Sequence, residues 1–265
     1  MIYKDKTALV TGASSGLGVA YAKELARRGA NLILVARRQE MLESVKSLIK
    51  SSFDVQVDLI VLDLSKANSG EQLVEAIAKL KLEPSILINN AGFGTNNLLS
   101  AENREKIAQE ITLNNLTLVD LTAAYLPGML KNNDGTIVNI ASTASFQPVP
   151  GMAVYAATKA FVRSFTSALW GEVAGTNVKV LTVNPGATAT EFFQIAGAKP
   201  SGALAPADDV IRATFSALES KKTPPSIIVG SRNAAMANFT KFLPQKLVIK
   251  VAGTMFMPKN PKTEQ

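Results

Sequence analysis

Short apolar runs rich in β-branched residues alternate along the chain with longer segments whose apolar positions recur every three or four residues. The short runs have the length of strands, and several are apolar throughout, as strands buried on both faces should be. Alternation of this kind is typical of a parallel sheet covered by helices on both faces. The pattern predicts a doubly wound α/β fold with seven strands, at residues 8–11, 31–36, 55–62, 86–89, 136–140, 178–183 and 226–229.

The longer segments predict helices at residues 17–29, 38–52, 70–81, 102–130 and 152–174. No internal repeat, low-complexity tract or linker-like change of composition interrupts the alternation. A chain of 265 residues is long enough to bury one sizeable core. We therefore expect a single domain over residues 1–230, with residues 231–265 as a C-terminal extension of that domain.

The composition narrows the possible chemistry. The chain is 47% hydrophobic and 18% charged, which favours a folded globular protein over a disordered one. It has no cysteine and no histidine, so disulfides and thiolate metal sites are excluded, and we predict no metal site. No apolar run reaches the roughly 20 residues of a membrane-spanning helix, and no signal-peptide pattern precedes the first predicted strand. We expect a cytoplasmic enzyme.

The net charge of +7 is concentrated near the C-terminus, because residues 221–265 contain eight Lys and Arg against one Glu. A nucleic-acid-binding fold normally builds its basic face into the globular body, so this distribution argues against nucleic acid as a partner. Pro244 can start a helix in this region. That helix would place an apolar group opposite Lys246 and Lys250, the apolar residues being Leu247, Val248, Val251 and Met255.

Two interpretations of the basic amphipathic helix remain open. The apolar side can pack on the body or on another subunit while the lysines stay in water, and we expect this arrangement. Alternatively, the helix can dock on an anionic surface, either a bilayer or an acidic protein, because it lies in the segment that holds the excess charge.

A glycine-rich turn joins the first predicted strand to the first predicted helix. Glycine permits positive φ and a close approach of the backbone, and the free N–H groups at a helix N-terminus bind a pyrophosphate. The spacing is G-x-x-x-G-x-G, and the predicted cofactor-binding residues of the turn are Gly12, Ser14, Ser15, Gly16, Leu17 and Gly18. The same stretch fits the G-x-S-x-G pattern of hydrolases, but a chain without histidine cannot build their catalytic triad.

Two arginines, Arg37 and Arg38, follow the second predicted strand. A fold that prefers NAD places an Asp or Glu there to bind the ribose 2′-hydroxyl. A guanidinium instead binds a 2′-phosphate through charged hydrogen bonds. The pair therefore predicts a preference for NADP(H).

A tyrosine and a lysine stand one helical turn apart at Tyr155 and Lys159, behind Ser142. Residues i and i+4 share a helix face, so the ammonium can lie beside the phenol and favour its ionised form. A phenol titrates near pH ~10, and a fixed cation is what an acid/base tyrosine needs at neutral pH. The spacing alone is also common on ordinary amphipathic helices.

The chain resembles the short-chain dehydrogenases/reductases over residues 5–230. The resemblance rests on six motifs in family order: the glycine turn, Asn89-Asn90-Ala91-Gly92, Asn114, Asn139-Ile140-Ala141-Ser142, Tyr155 with Lys159, and Asn184-Pro185-Gly186 running to Thr190. The separation of 13 residues between Ser142 and Tyr155 is also that of the family. This resemblance implies a Rossmann-type fold and an NADP-dependent oxidoreductase.

The resemblance also implies the catalytic roles. Tyr155 is the acid/base and Ser142 binds the substrate oxygen. Lys159 lowers the pKa of Tyr155 and holds the nicotinamide ribose, while Asn114 supports a water-linked proton relay to Lys159. Because Asn115 follows directly, either asparagine can fill that position, and we choose Asn114.

Further residues are implied as cofactor contacts. Asp63 resembles the adenine contact of the family, although a carboxylate at a helix N-terminus is an equally ordinary explanation. Three residues, Asn90, Ala91 and Gly92, would support the sheet beside the cofactor. The residues expected to border the nicotinamide carboxamide are Pro185, Gly186, Thr188 and Thr190.

Apolar residues around the reacting point predict an apolar substrate; they are Phe93, Phe146, Val149, Met152, Phe192 and Phe193. Several of them could equally pack a core or an oligomer interface. We expect reversible reduction of a ketone or aldehyde by NADPH, in a homodimer or homotetramer. The alternatives are a 3-oxoacyl-thioester reductase linked to an acyl carrier, which the resemblance favours less because the C-terminal ending differs, and a non-catalytic NADP-binding regulator.

Overall fold

The computed structural model describes residues 3–200 and 203–257, and this part of the chain contains a seven-stranded parallel sheet. The strand order is β3-β2-β1-β4-β5-β6-β7. All seven predicted strands are confirmed, with ends that differ by at most two residues. Their bounds are β1 Thr7–Thr11, β2 Asn31–Ala36, β3 Val57–Val61, β4 Ile86–Asn89, β5 Gly135–Ile140, β6 Val178–Asn184 and β7 Ser226–Ile228.

Helices cover both faces of the sheet. Their bounds are α1 Gly16–Arg27, α2 Gln39–Lys50, α3 Ser69–Lys79, α4 Arg104–Ile111, α5 Thr117–Lys131, α6 Ala153–Glu172, α7 Phe192–Ala196, α8 Ala207–Leu218, α9 Ser231–Phe239 and α10 Gln245–Phe256. Helices α1, α2 and α8 pack on one face, and α3, α5 and α6 pack on the other.

The sheet core explains why its strands are apolar at successive positions. Along β1, Ala8 and Val10 belong to the layer under α1 and α8, whereas Leu9 belongs to the opposite layer. Successive side chains of a strand point to opposite faces, so a strand covered on both sides needs apolar residues throughout. The predicted doubly wound fold is confirmed.

The helix predicted over residues 102–130 is observed as an unbroken helical run over residues 104–131, with a π-helical turn inside it. Helix α4 ends at Ile111, a wider π-helical turn spans Thr112–Leu116, and α5 then begins at Thr117. The N–H of Thr117 bonds to the carbonyl of Thr112, five residues back. This turn contains two buried asparagines, Asn114 and Asn115, whose side chains bind other parts of the chain. Turns of this type often mark functional positions in helices.

The C-terminal helix α10 begins directly after Pro244, as predicted, but most of its predicted apolar side does not pack on the body. Its buried residues are Val248, Ala252 and Gly253. Leu247, Val251 and Met255 are instead exposed, at 46%, 46% and 51%. A Cβ at Gly253 would lie only 3.6 Å from Pro150, so the small residues of the helix are the ones that approach the body.

The last part of the predicted extension, residues 258–265, lies outside the described residues. In residues 3–200 and 203–257, every helix is too short or too polar to cross a bilayer.

Candidate active site

The glycine turn lies at the carboxyl end of β1, against the end of β4. Gly12 has a φ of 67°, and a Cβ there would lie 2.9 Å from the Cα of Ala91. A Cβ at Gly18 would lie 2.1 Å from the carbonyl oxygen of Gly12. Contacts this short exclude any side chain, so α1 can start close to the strand only if both positions are glycine.

Asn90 and Thr11 tie the ends of β1 and β4 together. The Asn90 amide donates to the carbonyl oxygens of Thr11 and Gly12, at 2.9 and 3.3 Å. The Thr11 hydroxyl accepts from the backbone N–H groups of Asn90 and Ala91, at 3.1 and 3.0 Å. These bonds hold the glycine turn in a fixed position relative to the sheet.

The segment after β6 lies across the groove from the glycine turn. The Pro185 carbonyl accepts from the N–H of Thr143 at 2.9 Å, which joins the segment to the end of β5. The Thr188 hydroxyl donates to the Gly186 carbonyl at 3.0 Å. A Cβ on Gly16 would lie 2.8 Å from the Thr190 side chain, so the two sides of the groove approach each other here.

Two arginines stand at the end of β2. The Arg37 side chain is 67% exposed, and its nearest carboxylate oxygen, on Asp63, is 4.0 Å away. Arg38 reaches across the groove, where its guanidinium donates to Glu191 at 2.8 Å and to the Ser14 hydroxyl at 3.4 Å. Hydrogen bonds from Arg38 and Ser15 hold the pKa of Glu191 below its usual range.

Asp63 lies in the turn after β3 and does not cap a helix. Its Oδ1 accepts from the N–H and the hydroxyl of Ser65, at 3.0 and 2.7 Å. Burial raises the pKa of Asp63, but the Ser65 hydrogen bonds and the Arg37 charge outweigh burial, and the net pKa is lowered. Asp63 therefore remains a carboxylate beside Arg37.

These features fit a dinucleotide cofactor that carries a 2′-phosphate. Ser15, at the start of α1, makes no side-chain hydrogen bond to the first turn, so it leaves the first N–H groups of the helix available to a ligand. A helix N-terminus of this kind binds a pyrophosphate. The exposed Arg37 guanidinium, beside the end of β2, suits a 2′-phosphate.

Tyr155 lies on the first turn of α6 and is only 8% exposed. Its ring packs against that of Phe192 with 5.0 Å between ring centroids, and its hydroxyl is hydrogen-bonded to Ser142. Burial raises the pKa of Tyr155 to about 12, and the Ser142 bond offsets only part of this. Tyr155 therefore holds its proton at neutral pH in the free protein.

Lys159 is buried one helical turn after Tyr155. Its Nζ donates to the carbonyl of Ile140 at 2.8 Å and lies 5.9 Å from the centroid of the Tyr155 ring. Burial lowers the pKa of Lys159 to about 8. Burial dominates the pKa values of both groups in the free protein, and the expected lowering of the Tyr155 pKa by Lys159 stays a prediction.

Asn114 connects the loop after β4 to α6. Its amide oxygen accepts from the Phe93 N–H at 3.1 Å, and its amide nitrogen donates to the Phe93 carbonyl and to the Thr158 hydroxyl, at 2.9 and 3.0 Å. A Cβ on Gly92 would meet both the Asn114 oxygen and the Lys159 nitrogen, at 2.9 and 3.3 Å. Asn114 therefore approaches Lys159, whereas Asn115 binds the Thr158 backbone carbonyl.

The predicted apolar residues separate into two groups. Val149, Met152 and Phe192 form one cluster with Tyr155, and Phe193 packs edge-on against Phe192. Phe146 instead packs under the Arg163 guanidinium, 4.4 Å from its ring centroid. Phe93 is partly buried, and its backbone is bound by Asn114.

Several residues of this region were not predicted from the sequence. Phe256 of α10 packs against the Tyr155 cluster, and its carbonyl accepts from the Asn96 amide at 2.7 Å. Glu110 of α4 is fully buried and bound by Thr95. No local pattern marks these residues, because each gains its role from a segment distant in the chain. Within the described ranges, no cluster of acidic residues could hold a metal ion.

The fold and this site together fit the binding of a nicotinamide dinucleotide. The family model described as short chain dehydrogenase matches residues 6–200, and the chain belongs to the short-chain dehydrogenase/reductase family.

Among curated relatives, the very-long-chain 3-oxoacyl-CoA reductase of Bos taurus is 34% identical over 192 residues, covering 71% of this chain and 61% of that protein. The chain thus matches less than two thirds of this relative. The NADP-dependent 3-hydroxy acid dehydrogenase of Schizosaccharomyces pombe is 37% identical over 190 residues, covering 71% and 73%.

A solved structure is also similar to this chain over most of its length. The short-chain dehydrogenase from Sphingobium yanoikuyae, in complex with NADPH, aligns with a TM-score of 0.79 and 31% identity, over 91% of this chain and 97% of that one. That structure contains NADPH, and the Schizosaccharomyces pombe relative is NADP-dependent.

Proposed function

We propose that the protein reduces the carbonyl group of an apolar ketone or aldehyde with NADPH, reversibly, with Tyr155 as acid/base. The observation that carries the proposal is the environment of Tyr155: a buried phenol, hydrogen-bonded to Ser142, at the edge of an apolar cluster. Such a phenol keeps its proton until a stronger base appears beside it.

NADPH supplies the hydride, and the side chains of the chain handle the oxygen and the proton. As negative charge develops on the carbonyl oxygen, the Ser142 and Tyr155 hydroxyls donate hydrogen bonds to that oxygen. The resulting alkoxide is far more basic than a phenolate, so Tyr155 gives up its proton although its pKa is about 12.

Lys159 and Asn114 support this transfer. Lys159 is held by the Ile140 carbonyl at 2.8 Å, and its ammonium would stabilise the phenolate left on Tyr155 and bind the nicotinamide ribose. Asn114 fixes the loop at Phe93 and the helix at Thr158, which keeps Lys159 in place. We propose that the same turn carries the water-linked path by which Lys159 exchanges protons.

The substrate is proposed to be apolar because Val149, Met152 and Phe192 surround Tyr155. A 3-oxoacyl thioester is the second candidate, and the similarity to a very-long-chain 3-oxoacyl-CoA reductase supports it. A panel of hydrophobic ketones, aldehydes and acyl thioesters, scored by consumption of NADPH, tests both candidates. Turnover restricted to acyl thioesters would favour the second candidate, whereas turnover of none would favour a non-catalytic NADP-binding regulator.

We further propose that the protein is a homodimer or homotetramer. A groove of about 400 Å³ runs along α4 and α6, lined by Ile111, Asn115, Ala153, Val154, Ala157 and Thr158. Next to it, Leu116 and Phe161 are 51% and 45% exposed. An apolar surface of this kind is typical of a subunit interface. Light scattering of the protein and of Phe161→Glu tests this, with dissociation expected for the variant.

A further inference from the structure

Glu110 is a fully buried carboxyl group next to the catalytic helix. It lies on the last turn of α4, and none of its surface is exposed. One oxygen accepts from the Thr95 hydroxyl at 2.8 Å, while the other, Oε1, is buried without a hydrogen-bond partner in the described structure. Burying a carboxylate oxygen without a hydrogen-bond partner is unfavourable. Packing alone therefore does not explain why a glutamate stands at this position.

Two connections join Glu110 to the region of Tyr155 and Lys159. Thr95 follows Gly94, and a Cβ on Gly94 would lie 2.8 Å from the Tyr155 ring. Glu110 also precedes Asn114 by one helical turn, and Asn114 meets Lys159 at Gly92. Buried Thr95 therefore connects the carboxyl to the loop that covers the ring of Tyr155.

The charged and titratable groups that act on Glu110 come from two elements. Tyr155 and Lys159 lie on α6 and Glu102 lies in the segment before α4, and each interacts electrostatically with Glu110. Burial raises the pKa of Glu110 to about 7, the Thr95 hydrogen bond and the Lys159 charge lower it in part, and Glu102 raises it further. Glu110 thus changes its charge near neutral pH.

The charge of Glu110 acts on both catalytic groups in one direction. A negative charge makes the removal of a proton from a phenol or from an ammonium more difficult. Ionised Glu110 accordingly raises the pKa values of both Tyr155 and Lys159, against the burial that lowers the pKa of Lys159.

We propose that Glu110, which binds Thr95 in the loop over the Tyr155 ring, is a positioning residue of the active site whose charge sets the pH ranges of carbonyl reduction and alcohol oxidation. The proposal rests on the proposed role of Tyr155. Reduction needs a protonated Tyr155, whereas oxidation of an alcohol needs its phenolate. Loss of the Glu110 charge therefore extends oxidation to lower pH and restricts reduction at high pH.

The test compares the pH profiles of Glu110→Gln and the unchanged protein. The probe is a phenyl alkyl ketone with NADPH and the corresponding alcohol with NADP⁺, from about pH 5 to about pH 11.5, because the pKa of Tyr155 is about 12. We expect the alkaline limit of reduction and the onset of oxidation to move together to lower pH by roughly half to one pH unit, as for a unit charge several Å away. Below the pKa of Glu110 the two profiles should converge, since the carboxyl is then neutral.

The matched control is Glu105→Gln, because Glu105 is exposed on the same helix and binds Gln109. Its profile should coincide with that of the unchanged protein. A uniform loss of rate in Glu110→Gln, with both limits at their original pH, would overturn the proposal, since a purely structural role predicts that outcome.

A second variant, Thr95→Val, keeps the carboxyl and the shape of its neighbour but removes the hydrogen bond that favours ionisation. Glu110 should then ionise at a higher pH than in the unchanged protein. The profile of Thr95→Val should therefore begin to differ from that of Glu110→Gln at a higher pH than the profile of the unchanged protein does. In the double variant of Thr95→Val and Glu110→Gln, the alkaline limit of reduction and the onset of oxidation should lie at the same pH as in Glu110→Gln alone. A further shift of either limit would contradict the proposal. If Tyr155→Phe keeps the rate of the unchanged protein, the proposed function fails. If Tyr155→Phe loses the rate but Glu110→Gln leaves both pH limits unchanged, only this inference fails.

Discussion

Replacing Glu110 by Gln should stabilise the protein at neutral and alkaline pH but not in acid. The pKa of Glu110 rises from its ordinary value of 4.5 to about 7 on burial. Below pH 4.5 the carboxyl is protonated in both the folded and the unfolded chain. Between these two values the unfolded chain loses the proton first, so the free energy of unfolding falls as the pH rises, and above about 7 the loss is complete.

The size of this effect follows from the two pKa values. A difference of about 2.5 between folded and unfolded states corresponds to about 3 kcal/mol, as an upper limit. The Gln side chain has the same shape and no charge, so it does not lose this stability as the pH rises. The stability of Glu110→Gln relative to the unchanged protein should therefore increase between pH 4.5 and 7 and then stay constant.

Urea unfolding followed by the fluorescence of the single Trp measures this difference at each pH. Glu105→Gln, from the exposed face of the same helix, provides the baseline. A difference between Glu110→Gln and the unchanged protein that stays constant from pH 4.5 to 8 would refute the reasoning, because it would mean that the buried carboxyl titrates normally.

Three further predictions concern the cofactor groove and the C-terminal helix. Arg37→Ala should weaken NADPH by about tenfold or more and NADH little, since only NADPH carries the 2′-phosphate; equal losses for both would show a structural role. Glu191→Gln should tighten NADPH up to about fivefold by freeing Arg38 from an exposed ion pair, and unchanged affinity in a titration would count against that competition. Removal of residues 244–265 should lower turnover and thermal stability, because Phe256 packs on the cluster around the catalytic tyrosine; salt-sensitive binding of the intact protein to anionic vesicles would instead indicate a membrane surface.

The sheet could be predicted from the sequence because its strands are buried on both faces. Strand residues such as Leu9 and Ile33 are apolar and fully buried. The order of the apolar runs and the glycines then predicts the topology. The glycine turn could also be predicted, since Gly12 needs a positive φ and Gly18 contacts Gly12 within the same βα unit. Local patterns therefore predicted the parts of the structure that local contacts form.

The missed features depend on contacts between distant segments. Glu110 stands in a polar helix, where it resembles a solvated charge, and its burial follows from the loop that contains Thr95. The side of α10 that packs on the body was not predicted because the helix is apolar on more than one side, and Ala252 is buried whereas Leu247 is exposed. The high pKa of Tyr155 follows from tertiary burial, which the spacing to Lys159 does not reveal.

The turnover of Tyr155→Phe tests the central claim most directly. The phenyl ring can pack against Phe192 as the phenol does, but it has no proton to exchange. With a ketone that the unchanged protein reduces, the variant should bind NADPH with unchanged affinity in a fluorescence titration and retain less than about a tenth of the rate, a barrier increase above about 1.4 kcal/mol. Retention of more than that rate with NADPH bound would contradict the role of Tyr155 as the acid/base.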